Sequence, residues 1–210
     1  MAYSAVLFLD YLSCALLACA AAFRGGRHSL PFTGALILGM ACALISPAAR
    51  SVLISISTHV MPRLDALDER GYVAASFLGA CAGWLLQRRA SEEAPVFPAL
   101  EGASLGLAAA LGTHVALALG LASPVGGVVI GCVAGTAGGV LRDLCLTERP
   151  ALLEVDFYGS AVAVGAMAVT GLHVLQAGFW MQMAVGYLCI FGLRLFGSWR
   201  TRRRGFFSEF

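Results

Sequence analysis

Apolar residues dominate seven stretches of the chain, at roughly 4–23, 31–57, 71–87, 101–121, 124–146, 157–175 and 178–198, and polar residues collect between them. A helix needs about 20 mostly apolar residues to cross a bilayer. The pattern therefore predicts an all-α membrane protein with seven transmembrane helices. The connections at 24–30, 58–70 and 88–100 hold the charges, prolines and turn formers expected outside the membrane. Those at Ala122-Ser123 and Gln176-Ala177 are very short, so the helices they join must be antiparallel neighbours.

Composition agrees with that pattern. Of 210 residues, 59% are hydrophobic and 12% charged, with a mean hydropathy of +0.82. Soluble domains have about 25% charged residues, and a soluble fold of this length could not hide so much apolar surface. All 14 basic residues are arginine, and no basic stripe alternates with aromatics, so nucleic acid is not an expected partner. Cys14, Cys19, Cys42, Cys81, Cys132, Cys145 and Cys189 lie almost wholly within apolar segments, with no CxxC and no histidine at ligand spacing. They read as packing residues rather than metal ligands or disulfides. No nucleophile–base–acid set or phosphate loop is present, so neither enzymatic chemistry nor a cofactor is expected.

Arginine placement predicts the orientation. Arg24, Arg27, Arg88, Arg89, Arg142, Arg149, Arg194 and the tail run Arg200, Arg202, Arg203 and Arg204 fall on one side of a seven-span chain. Arg63 and Arg70 fall on the other, with Arg50 unassigned. Positive residues favour the cytoplasm, which puts the C-terminus there, the N-terminus outside, and the chain in an inner membrane if the source is bacterial.

The chain also repeats itself. Leu9-Asp10 and Ser13 match Leu100-Glu101 and Ser104 at an offset of 91, and Arg50 matches Arg142 at an offset of 92. A three-span unit enters the membrane upside down when repeated. The expected organisation is one transmembrane domain over 1–210, with a first repeat at 1–87 and a second, inverted repeat at 100–175. A seventh helix at 178–198 and a basic tail at 199–210 complete it. Many transport proteins build a central pathway from inverted repeats with broken helices.

Two segments carry the candidate chemistry. In span five, Gly138-Gly139 can open the helix and bare its carbonyls, with Arg142 and Asp143 beside the break. The same residues can equally be a close-packing site followed by an ion pair. In span two, Pro47 removes a backbone donor after Ser46, and Arg50 and Ser51 follow. An arginine so deep costs roughly 2.5–3.5 kcal/mol on insertion scales, so Arg50 needs a cavity, an outward path or a carboxylate. Asp10 and Glu101 are the candidate partners. His114 and His173 read as hydrogen bonders between helices. Glu154 and Asp156 suit the start of span six as helix caps. Phe157, Tyr158, Trp180, Tyr187 and Trp199 suit interfacial belts.

The run Gly138-Gly139-Val140-Leu141-Arg142-Asp143, followed by Arg149-Pro150 and Tyr158-Gly159, resembles the second-repeat signature of the bacterial trimeric intracellular cation (TRIC) channels. The first repeat departs from that signature: Ser46-Pro47-Ala48-Ala49-Arg50-Ser51 keeps the arginine but replaces both glycines and the acid. The resemblance implies a homotrimer with a pore in each protomer, constricted by broken helices two and five and conducting potassium and sodium among membrane lipids. It gives Asp143 the role of attracting cations, and Arg142 and Arg50 that of shaping the mouths. A secondary transporter of a small polar solute would use the same inverted repeats, with Asp10, Glu101 and Arg50 as its binding groups. A lipid-handling protein that conducts nothing is the third alternative.

Overall fold

The computed structural model describes residues 2–58, 70–89, 96–120, 122–154 and 157–207, and among these every regular element is helical. The seven long helices are α1 (Ala2–Arg27), α2 (Phe32–Thr58), α3 (Arg70–Arg89), α4 (Val96–Ala118), α5 (Pro124–Cys145), α6 (Tyr158–Val174) and α7 (Phe179–Phe207). A single helical turn, Ala151–Glu154, sits between α5 and α6. By length and hydropathy five helices qualify clearly as spans: α1, α2, α4, α5 and α7. The α6 helix is apolar but shorter, and α3 is framed by Arg70, Arg88 and Arg89.

The seven helices form two inverted three-helix repeats and a closing helix. Within the first repeat α1 packs on both α2 and α3; within the second, α4 packs on α5 and α6. Across the halves like meets like, α1 against α4 and α2 against α5, and α7 covers α4 and α6. Hydrogen bonding repeats too. Ser13 Oγ donates to the Asp10 carbonyl at 2.8 Å and Ser104 Oγ to the Glu101 carbonyl at 3.0 Å.

Small residues bring the helices together, because lipid offers no hydrophobic drive between them. A Cβ on Gly79 or Gly83 would collide with the carbonyl oxygens of Ala15 and Cys19 on α1. One on Gly131 would meet the Thr113 hydroxyl and the Ala109 carbonyl of α4. These four-residue spacings therefore serve contacts within one chain. The far side of α5 exposes Val125, Val129 and Val133, an apolar stripe suited to hydrocarbon.

Helix ends follow local chemistry. Ser123 caps α5 by accepting from the Gly126 N–H at 3.1 Å, and Pro124 takes the first position, where no N–H is needed. Gly120, at φ +64°, closes α4 in a left-handed conformation that suits glycine. The N-cap of α6 is Phe157, which makes no side-chain cap bond. The expected cap Asp156, like Arg63, lies outside the described residues, as do the side chains of Glu154, Arg202, Arg203 and Arg204.

The structure corrects one expectation here. Neither α2 nor α5 is interrupted: both run as continuous helix through Pro47 and through Gly138-Gly139. The carbonyl that Pro47 orphans, that of Ala43, accepts instead from the Cys14 thiol at 3.4 Å. The glycine pair marks a crossing of helices rather than a break. A Cβ on Gly138 would stand 2.5 Å from the Cys42 carbonyl oxygen of α2, and one on Gly139 2.5 Å from the Tyr158 hydroxyl.

Candidate functional site

Charges buried among apolar helices must be paired or neutralised, and the chain pairs them in two equivalent clusters. The first joins α1, α2 and α3. Arg50 Nη1 donates to Asp10 Oδ1 at 3.1 Å and its Nη2 donates to Oδ2, a bidentate fork. Tyr72 Oη donates to Asp10 Oδ2 at 2.7 Å.

The second cluster joins α4, α5, α6 and α7. Glu101 Oε1 lies 2.7 Å from Arg142 Nη2, and its Oε2 accepts from Arg194. Arg142 also donates to Asp143 Oδ1, from Nε at 2.8 Å and from Nη2 at 2.5 Å. The other Asp143 oxygen accepts from the Ala151 N–H at 2.8 Å, tying down the turn after α5. The Arg194 guanidinium stands over the Tyr158 ring, 5.0 Å from its centroid, and its Nη1 donates to Ser198 Oγ at 2.9 Å. Carboxylate, arginine and tyrosine thus recur on equivalent helices: Asp10, Arg50 and Tyr72 in one repeat, Glu101, Arg142 and Tyr158 in the other.

Inversion puts the two clusters toward opposite ends of the bundle, with the α2–α5 crossing between them. There Ser46 Oγ donates to the Ala134 carbonyl at 2.5 Å. Pro47 stands within α2 beside this contact, and the Ser51 carbonyl accepts from Ser55 Oγ at 2.8 Å. Beside the second cluster opens a cavity of about 360 Å³, lined in part by Glu101, Arg142, Asp143 and Arg194. Arg24 and Glu148 also line it and are joined at 2.8 Å, and His28 Nε2 lies 2.6 Å from the same Glu148 oxygen. Partial burial pushes the Glu148 carboxyl up, but the hydrogen bonds and charges of Arg24 and then His28 outweigh it. The group is held below the usual carboxylate range.

All ten sequence-nominated residues lie in or beside these features. Asp10 is the partner Arg50 requires, and Glu101 pairs instead with Arg142 and Arg194. Arg194, read from sequence only as a topology charge, is buried. Tyr158, expected in an interfacial belt, is buried in the second cluster, whereas Trp180 and Trp199 are exposed. Phe97 was missed altogether; its one signal is a position a turn before Glu101 on the same face of α4. His114 joins Gln182 at 2.8 Å, and all seven cysteines are free thiols.

A family profile described as Glycine transporter matches residues 99–174, the second repeat. A UPF0126 membrane protein of Deinococcus radiodurans is 31% identical over 199 residues, 94% of this chain and 87% of the relative. The UPF0126 inner membrane protein YadS of Escherichia coli K12 is 23% identical over 162 residues, 77% of this chain and 76% of that protein. Among solved structures, the TRIC trimeric intracellular cation channel orthologue from Rhodobacter sphaeroides superposes with a TM-score of 0.81 at 25% identity, over 92% of this chain and 97% of the other. A prokaryotic TRIC channel in 0.5 M KCl gives 0.79 at 20% identity, over 93% and 96%. The resemblance read from Gly138 to Gly159 is borne out across nearly the whole chain. It is a membrane protein of the UPF0126 family, built on the fold of the TRIC channels.

Proposed function

We propose that the chain is a monovalent cation channel, conducting potassium and sodium through a pathway between α2 and α5 in each protomer of a homotrimer. The observation that carries this reading is the recurrence of one carboxylate–arginine–tyrosine cluster at each end of the α2–α5 crossing. Likeness to the cation channel orthologue over 92% of the chain supports it. The conformation described is closed: α2 and α5 touch at Ser46 and Ala134, and buried ion pairs occupy both ends. Conduction requires the helices to part and the arginines to leave their carboxylates, which frees Asp10, Glu101 and Asp143 to attract cations. The protein sits in a bacterial inner membrane with its N-terminus outside and C-terminus in the cytoplasm, and lipids contact the valine stripe of α5.

A second reading, transport of a small zwitterion, is favoured by the Glycine transporter profile over residues 99–174. Proteoliposomes distinguish the two. A channel gives a reversal potential in asymmetric KCl that follows the cation gradient, with no requirement for a second solute. A transporter gives saturable uptake of labelled glycine and no potassium current.

A further inference from the structure

Phe97 stands between two guanidinium groups. Arg142 Cζ lies 4.9 Å from its ring centroid and Arg24 Cζ lies 5.1 Å away, and its ring stacks on Phe23 at 6.4 Å with an interplanar angle of 17°. The two arginines differ in surroundings: Arg142 is 1% exposed, whereas the Arg24 side chain is 39% exposed. The ring therefore lies between a buried and a half-exposed guanidinium, on the wall of the 360 Å³ cavity that it shares with the ion-pair residues. Arg142 Nη1 has no hydrogen-bond partner among the described residues, so the aromatic face is the main favourable contact the guanidinium has besides its carboxylates. The attraction of a cation to that face grows where water is excluded.

We infer that Phe97 is a positioning residue, which seats the Arg142 guanidinium in its closed place on the cavity wall. This rests on the pathway proposed above. Loss of the π-face frees Arg142 to leave Glu101 and Asp143, which opens the helix contacts behind the ion pairs.

Two readouts test the inference. Leu105 lies one turn beyond Glu101 on the same face of α4 and is 3% exposed. In a Leu105→Cys protein, labelling of position 105 by a charged thiol reagent, read by peptide mass, should rise by roughly three- to thirty-fold on Phe97→Leu. Phe97→Trp should leave it unchanged. This readout needs no ion current. In the unlabelled protein Phe97→Leu should raise resting potassium flux by a similar factor, and have no further effect in an Arg142→Gln background. Equal labelling in wild type and Phe97→Leu overturns the inference, as does a Phe97→Leu effect that persists undiminished with Arg142→Gln. Should Phe97→Leu fail to fold, Phe97→Met carries the same comparison. Increased labelling with no flux in any variant upholds the role of Phe97 and removes the channel reading.

Discussion

At the scale of single residues, the chain uses glycine for proximity and charge only in company. Gly138 has no room for a methyl group: the Leu17 side chain stands closest, and the Cys42 carbonyl oxygen, at 2.5 Å, is backbone and cannot turn aside. Gly138→Ala should destabilise the protein by about 1–3 kcal/mol, as overpacking does, seen as a lower melting temperature in detergent. An unchanged melt would mean that α2 and α5 do not cross there. Glu101 is 1% exposed and meets two buried arginines. Glu101→Ala takes the carboxylate from Arg194 and leaves Arg142 with Asp143 alone, and breaking a buried pair costs about 3–5 kcal/mol; a drop under 1 kcal/mol would show that water already reaches the pair. Asp143 carries two duties, holding Arg142 and receiving the Ala151 N–H. Asp143→Asn keeps the shape and removes the charge, so potassium flux should fall; unchanged flux and selectivity would place Asp143 outside the pathway.

At the scale of elements, the seven helices were legible because a bilayer demands long apolar runs, and the repeat was legible in Asp10 with Glu101 and Arg50 with Arg142. The Asp10–Arg50 pair was foreseeable because a deep arginine needs a carboxylate. The state of α2 and α5 was not legible. Gly138-Gly139 is the same signature whether a helix opens or two helices meet, and the partners that decide lie far away in sequence at Cys42 and Tyr158. Arg194 escaped notice because a basic residue near a span end also serves as an interfacial anchor, and its partner Glu101 lies 93 residues away in sequence. The link between the end of α1 and the segment after α5 makes a pH prediction. Glu148 is held below its ordinary value by Arg24 and His28, so its contribution is fully present above about pH 4.3 and is lost as pH falls through the lowered value. Melting temperature should decline with acid below that point in wild type and less steeply in Glu148→Gln. Parallel declines would detach Glu148 from the stability of this face.

At the scale of the whole molecule, two inverted repeats place equivalent ion-pair clusters at opposite ends of one helix crossing. In the proposed channel, that symmetry gives a closed pathway one gate at each end. The first repeat lacks the glycines and the acid of the second, yet it keeps the carboxylate–arginine–tyrosine set, with Ser46 and Pro47 at the crossing. The altered motif therefore leaves the ion-pair cluster of the first repeat in place. The most direct test of this account is potassium uptake into liposomes carrying the purified protein, with and without an imposed membrane potential. The account predicts rapid uptake that follows the potential and needs no co-substrate. Folded protein that takes up no potassium at either potential, yet accumulates glycine saturably, would contradict it.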